Sequence, residues 1–217
     1  MEDSTTAAFI GSSYVYIVDD EESVREAISF LLTSAGYQAR CFSSAAEFMA
    51  ARALLRPGAV LLDLRMPETD GLGVIAQSPE EVRSLYPMIM MTGEGDLATA
   101  VDAMKMGAED FLEKPFDAEA LIKSLNQALS KVDAFVKREE NRRQLRITID
   151  RLTPRERDVL GLLVNGMSNK HAALELGISF RTVEMHRARM FQRLGVKTLA
   201  DAVKLAMQAG VDLWLPA

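Results

Sequence analysis

Hydrophobic and polar positions along the first 116 residues alternate between two textures. Short apolar runs, Tyr14–Asp19 (YVYIVD), Ala59–Asp63 (AVLLD) and Met88–Thr92 (MIMMT), read as buried strands, and Gln38–Phe42 and Asp110–Glu113 complete a set of five. Between them the apolar residues fall at helical spacing. Val24, Ala27, Ile28, Leu31 and Leu32 mark a helix over Ser23–Ala35 that Gly36 stops. Ser44 is placed to cap a second helix running to about Leu55, with Glu47 completing a capping box. Further helices are predicted after Gly71, over Asp96–Met106 with Gly107 as its stop, and from near Asp117. Five β-α units in succession predict an α/β fold, a flavodoxin-like doubly wound five-stranded parallel sheet with helices on both faces.

The texture then changes. From Asp117 to Thr153 there is no Gly or Pro, and Leu121, Ile122, Leu125, Leu129, Val132, Phe135 and Val136 keep a helical stripe. Residues 137–144, KREENRRQ, are polar all round. One long helix is predicted, its first half packed on the sheet and its second half a projecting linker. Residues 153–209 read as purely helical. Thr153-Pro154-Arg155-Glu156 is a capping box with Pro at the first helical position, and Gly166 ends that helix. Ser168 opens a short helix closed by Gly177, Ser179 caps a longer one to about Leu194, and Thr198 starts a fourth that ends at Gly210. The domains expected are a flexible tail over 1–13, an α/β domain over 14–131, a linker helix over 132–150, and an all-α four-helix domain over 151–217.

Charge sharpens this division. Residues 1–116 hold 8 Lys+Arg against 19 Asp+Glu, residues 117–150 hold 7 against 6, and residues 151–217 hold 10 against 6. An acidic half followed by a basic third suggests two tasks, the second involving an anionic partner. No apolar run is long enough to span a bilayer, so no membrane partner is expected. The first residues lack the basic-then-apolar pattern of a secretory signal. The single cysteine, Cys41, cannot form an internal disulfide and fits a reducing, cytoplasmic setting; it reads as a small buried hydrophobe near a strand end.

Placed on the predicted sheet, the polar residues gather on one edge. Asp19 and Asp20 end the first strand, Asp63 the third, Thr92 the fourth, and Lys114 the fifth. With strand order 2-1-3-4-5 these side chains converge. Three carboxylates in one pocket repel unless a cation neutralises them, and an oxygen-rich site of this kind suits Mg2+. A lysine and a hydroxyl beside it can bind a phosphoryl group, with Asp63 as a nucleophile able to form an aspartyl phosphate.

The segments VDDE (18–21), DLRMPETDG (63–71), MTGEGD (91–96) and DFLEKPF (110–116) resemble those of bacterial two-component response regulators, in particular their FixJ-like branch. The resemblance covers essentially the whole chain apart from the tail. It implies that Asp63 accepts a phosphoryl group from a sensor histidine kinase. It also implies that Asp20, Asp63 and the backbone carbonyl of Arg65 ligate magnesium, with Asp19 assisting through water, and that Lys114 and Thr92 bind the phosphoryl oxygens. Thr92 and Phe111 would be a switch pair, the aromatic ring turning inward as Thr92 moves toward the phosphate. Arg65 and Glu94 stand where the family tunes phosphate lifetime.

Residues 168–194, SNKHAALELGISFRTVEMHRARMFQRL, carry a helix-turn-helix signature: a short helix, a turn with Gly177 and a capped longer helix. Ala172, Leu174, Leu176 and Ile178 are expected to pack the pair, and Val183, Met190 and Leu194 to face the core. That leaves Arg181, Glu184, Met185, Ala188 and Arg189 outward. The stretch from Leu152 to Val196 resembles the LuxR-type DNA-binding domain of NarL/FixJ regulators. By that resemblance 179–194 enters the major groove, with Glu184, Met185 and Ala188 toward base edges and Lys170, Thr182, Arg189 and Lys197 toward phosphates. His171 and His186 lack the spacing and companions of a metal pair.

Together these readings predict a phosphorylation-dependent transcription regulator that is not itself an enzyme on a separate substrate. Such an enzyme needs a substrate pocket or cap domain, and the segments between strands are short. Phosphorylation is expected to promote a homodimer that binds duplex promoter DNA, with helix Thr198–Ala209 a further dimer candidate and RNA polymerase a further partner. A different class, a receiver that controls a protein partner beside a vestigial basic domain, is separated from it by salt-dependent affinity for duplex DNA.

Overall fold

The computed structural model describes residues 13–67, 70–93 and 97–210, as two compact units divided between Val136 and Lys137. In the first unit the strands are β1 (Tyr14–Val18), β2 (Gln38–Phe42), β3 (Ala59–Asp63), β4 (Met88–Thr92) and β5 (Asp110–Glu113). They form one sheet of order β2-β1-β3-β4-β5, every pair parallel. Successive strand side chains point to opposite faces, which divides the core in two. Val15, Ile17, Leu61, Ile89 and Met91 pack with Ile28 and Leu32 of α1 (Glu22–Ser34) and with Leu121, Leu125 and Leu129 of the long helix α6 (Ala118–Asp150). Tyr16, Val18, Val60, Leu62, Met88 and Met90 face the other way. They meet Phe48 of α2 (Ala45–Ala51), Val74 and Ile75 of α3 (Gly71–Gln77) and Ala103 of α5 (Leu97–Met106). β3 and β4 are buried at every position, which is why they read as unbroken apolar runs rather than as alternation.

Four details of the first unit's elements depart from the sequence reading. The segment after Gly71 forms two helices, α3 and α4 (Glu80–Leu85), because Pro79 cannot continue the first. α2 tightens into a 3₁₀ turn over Arg52–Leu54. Ser44 does accept from the Glu47 backbone N–H at 3.2 Å, but the Glu47 carboxylate reaches one residue further back. It accepts from the N–H and hydroxyl of Ser43 at 2.8 and 3.0 Å, so the box is not reciprocal. Cys41 is exposed rather than buried: β2 is an edge strand, and of its five residues only Phe42 is buried. Residues 1–12 of the expected tail, and Glu94 and Asp96, lie outside the described residues.

The second unit is built from α7 (Pro154–Val164), α8 (Asn169–Glu175), α9 (Phe180–Leu194) and α10 (Leu199–Ala209), together with the last turns of α6. Its core joins Val159, Leu160, Leu162 and Leu163 to Ala172, Val183, Met190, Leu194, Ala202 and Ala206, and it also includes Ile149 of α6. The end of the expected linker therefore works as a core element of the helical unit. Each start signal reads as the sequence suggests. Thr153, Ser168, Ser179 and Thr198 all accept at the N3 backbone N–H, and Thr153 and Glu156 form the full capping box. Leu174 is the exception to the expected packing. It is 74% exposed, and Ala173 turns inward in its place.

Candidate functional site

Parallel strands bring their carboxyl ends to one edge, and side chains from three of them meet there. Asp19 follows β1 and is almost fully buried; Asp63 ends β3 at 7% exposure. Lys114, just past β5, reaches between them. Its ammonium donates to Asp19 Oδ2 at 2.7 Å and to Asp63 Oδ1 at 2.6 Å. The remaining oxygens are also used: Asp63 Oδ2 accepts from the Arg65 N–H at 2.8 Å and Asp19 Oδ1 from the Glu21 N–H at 2.9 Å. The Lys114 backbone is fixed by its own N–H, which donates to the Thr92 carbonyl at 2.6 Å. Gly71 lets α3 start close beneath this edge, since a Cβ there would lie 2.7 Å from the Asp63 carbonyl oxygen.

Burial pushes the Asp63 carboxyl above the usual aspartate range and the Asp19 charge adds to this, while Lys114 and the Arg65 N–H oppose it. For Lys114 the balance runs the other way. Burial lowers its pKa, but its bonds to Asp19 and Asp63 outweigh that and hold the ammonium above the usual lysine range.

Thr92, 2% exposed, stands at the end of β4 beside these groups, its hydroxyl donating to the Gly93 carbonyl at 3.2 Å. Phe111 on β5 is half-buried and pairs in register with Met90. Asp20 does not join the buried pair. One residue beyond Asp19, it turns outward and lines an open cleft of ≈ 650 Å³ with Arg65, Met66, Pro67 and Asp70. Two contacts hold that turn: the Arg25 guanidinium donates to the carbonyls of Asp19 and Asp20. Among the described residues no group of three or more His, Cys, Asp or Glu side chains is close enough to hold a metal ion. The convergence of three carboxylates read from the sequence is thus, in this structure, two carboxylates neutralised by a lysine with a third at the cleft. The set remains one of hard oxygen donors carrying more negative than positive charge, which fits a divalent cation rather than a soft metal.

In the second unit, the turn through Gly177, with φ +64°, sets α9 after α8. Arg181, Glu184, Met185, Ala188 and Arg189 project from α9 into solvent, as do Lys170 on α8 and Lys197 beyond α9. Thr182 is half-buried, its hydroxyl 2.8 Å from that of Ser179. Two braces on α9 were not read from the sequence, because each includes a partner outside the helix, Glu156 for one and Asn169 for the other. Arg193 reaches the buried Glu156 carboxylate at 3.2 Å, and Arg187 contacts Asn169 Oδ1 at 3.4 Å and lies over the Phe191 ring. Burial works against the Glu156 charge, but the Thr153 hydrogen bonds and the Arg193 and His186 charges keep its carboxyl below the usual glutamate range.

A parallel α/β unit with a lysine-bridged aspartate pair at its strand ends, followed by a helix-turn-helix unit, is the architecture of a receiver-controlled DNA-binding regulator. The chain belongs to the FixJ-like response regulators: residues 15–126 match the response regulator receiver domain, and residues 150–206 match the bacterial regulatory proteins of the luxR family. The transcriptional regulatory protein FixJ of Bradyrhizobium diazoefficiens is 38% identical over 91% of this chain and 96% of its own length. The tetrathionate response regulatory protein TtrR of Salmonella typhimurium is 37% identical over 88% and 90%. Among solved structures, the response regulator StyR superposes with a TM-score of 0.75 at 37% identity, covering 90% of this chain and 98% of that one. Full-length FixJ from B. japonicum gives 0.54 at 38% identity, covering 92% and 98%. The protein is a phosphorylation-dependent transcription regulator of a two-component system, a regulator rather than a catalytic enzyme. Its receiver implies a histidine kinase partner, and its LuxR-type domain implies DNA binding. No described helix is long and apolar enough to cross a membrane.

Proposed function

We propose that Asp63 is the phospho-acceptor and that its phosphorylation makes the second unit competent to bind promoter DNA as a homodimer. The observation that carries this is the Lys114 ammonium held at 2.7 Å from Asp19 and 2.6 Å from Asp63, next to the buried Thr92 hydroxyl. An Asp63 carboxylate oxygen attacks the phosphorus of a kinase phosphohistidine. The P–O bond forms as the P–N bond breaks, and the departing imidazole keeps the electron pair and takes up a proton. Lys114 moves its hydrogen bond from the carboxylate to a phosphoryl oxygen. Thr92, whose bond to the Gly93 carbonyl is long at 3.2 Å, turns to donate to another, and Phe111 moves inward to fill the space it leaves.

Asp20, Asp63 and the Arg65 carbonyl would hold Mg2+, with Asp19 acting through water. The ion supplies neutralising charge for the phosphoryl oxygens. On α9, Glu184, Met185 and Ala188 face base edges with Arg181 beside them, and Lys170, Thr182, Arg189 and Lys197 meet phosphates. A kinase donor inside the cell and a promoter target place the protein in the cytoplasm, where RNA polymerase is a further partner at the promoter.

Incubation with acetyl phosphate and Mg2+, followed by intact-mass measurement, tests the site. The wild-type chain should gain one phosphoryl group that hydroxylamine removes, and Asp63→Asn should gain none. Lys114→Met should be labelled at least tenfold more slowly, the scale of one lost charged contact to the transferring group. Equal labelling of Asp63→Asn would remove Asp63 from the mechanism.

A further inference from the structure

The last turns of α6 do more than connect. Arg142 and Arg146, one helical turn apart, both point to the carboxyl end of α10. Arg146 donates through Nε to the Ala209 carbonyl at 2.8 Å and through Nη2 to the Gly210 carbonyl at 3.2 Å, while Arg142 Nε lies 3.4 Å from the same Ala209 oxygen. A helix end presents unsatisfied carbonyls and partial negative charge, so two guanidinium groups there satisfy both. The fit is close at Gly210. It has φ +56°, and a Cβ there would fall 2.5 Å from Arg142 Nη2. The same stretch of α6 contributes Ile149, fully buried, and Leu145 to the core of the unit.

We propose that Arg142 and Arg146 are a latch: the last turn of α10 is ordered only while residues 137–150 are helical, so the state of the linker sets the state of α10. This goes beyond the proposed function and does not depend on Asp63. The composition of the segment gives no hint of it, because an exposed basic stretch on a linker reads as solvated. The geometry also sets these two arginines apart from phosphate-binding ones, since Nε of each is already turned to a backbone carbonyl of its own unit and Arg142 Nη1 lies 3.6 Å from the Glu139 carboxylate.

Amide hydrogen exchange on the full chain, resolved over α7, α9 and α10, tests the latch. Arg142→Ala with Arg146→Ala should speed exchange of the last α10 amides roughly tenfold, while α7 and α9 keep their protection. Arg146→Lys should restore part of it, because lysine supplies charge but cannot fork across two carbonyls. Gly210→Ala should also loosen the α10 end, and by less when Arg142→Ala is already present. Replacing the exposed Glu140 and Asn141 with a Gly pair, which weakens the linker helix and leaves the Arg142 contact to Glu139 and the carbonyl contacts of both arginines in place, should have the same effect on α10 as losing the arginines. Unchanged α10 exchange in the arginine variants, an equal loss across α7, α9 and α10, or no response to the Gly pair would each overturn the proposal.

Discussion

Lys114 offsets part of the charge of Asp19 and Asp63, and the way it reaches both explains what the sequence showed and what it hid. Asp19, Asp63, Thr92 and Lys114 were legible because each ends a strand of a parallel sheet, and such ends share an edge. The outward turn of Asp20 was not, since it depends on where the chain leaves β1 and on Arg25 holding two carbonyls. The raised Asp63 pKa has a consequence for stability. A carboxyl raised in the folded state favours folding while protonated and loses that contribution as pH rises through the folded value, so at neutral pH ionised Asp63 is a net cost. Unphosphorylated Asp63→Asn should therefore melt no lower than wild type, as thermal unfolding at neutral pH will show. Glu156 has the opposite sign. Its lowered pKa contributes stability above the usual glutamate range, and that contribution is lost as pH falls through the folded value. Glu156→Gln should cost about 1 kcal/mol at neutral pH, reflecting half of a capping box and a partly exposed ion pair, and the difference from wild type should vanish on acidification. A constant difference across that range would mean the Glu156 charge is not what matters.

At the scale of elements, caps and stops were the most legible features, because capping is local: a hydroxyl three residues ahead of an N–H needs nothing else from the chain. The LuxR-type helix pair was set by Ser168, Gly177 and Ser179 in this way. Leu174 was misread because α8 is only seven residues long, and the face it buries is chosen by α7 and α9 rather than by its own pattern. The contacts proposed for the exposed face of α9 and its flanks divide into two roles that experiment can separate. Arg189→Ala or Lys197→Ala should reduce the slope of log affinity against log salt by about one for duplex DNA, with little change in sequence preference. Glu184→Ala should leave the slope alone and relax base preference at one position. A slope change for Glu184→Ala alone would reverse these assignments.

At the scale of the molecule, the change from an acidic α/β half to a basic helical third followed the division of labour, and the two family matches fall on either side of it. What charge and periodicity could not locate was the boundary. Residues 137–144 read as a spacer because they are polar all round, yet the second compact unit begins at Lys137 and takes Leu145 and Ile149 into its core. An element belongs to the unit that it packs against, and the partners that define it, among them Ala209 and Val159, lie far along the chain. On the proposed function, coupling between the units is a population shift: phosphorylation would add charge at one strand edge, and pairing of two receivers would raise the effective concentration of two DNA-binding units on neighbouring half-sites. The most direct test is to measure oligomeric state and binding to a panel of duplex DNA together, with and without acetyl phosphate and Mg2+, on wild type and Asp63→Asn. Dimerisation and tighter DNA binding by phosphorylated wild type alone is the predicted result; equal binding by both proteins under all conditions would contradict it.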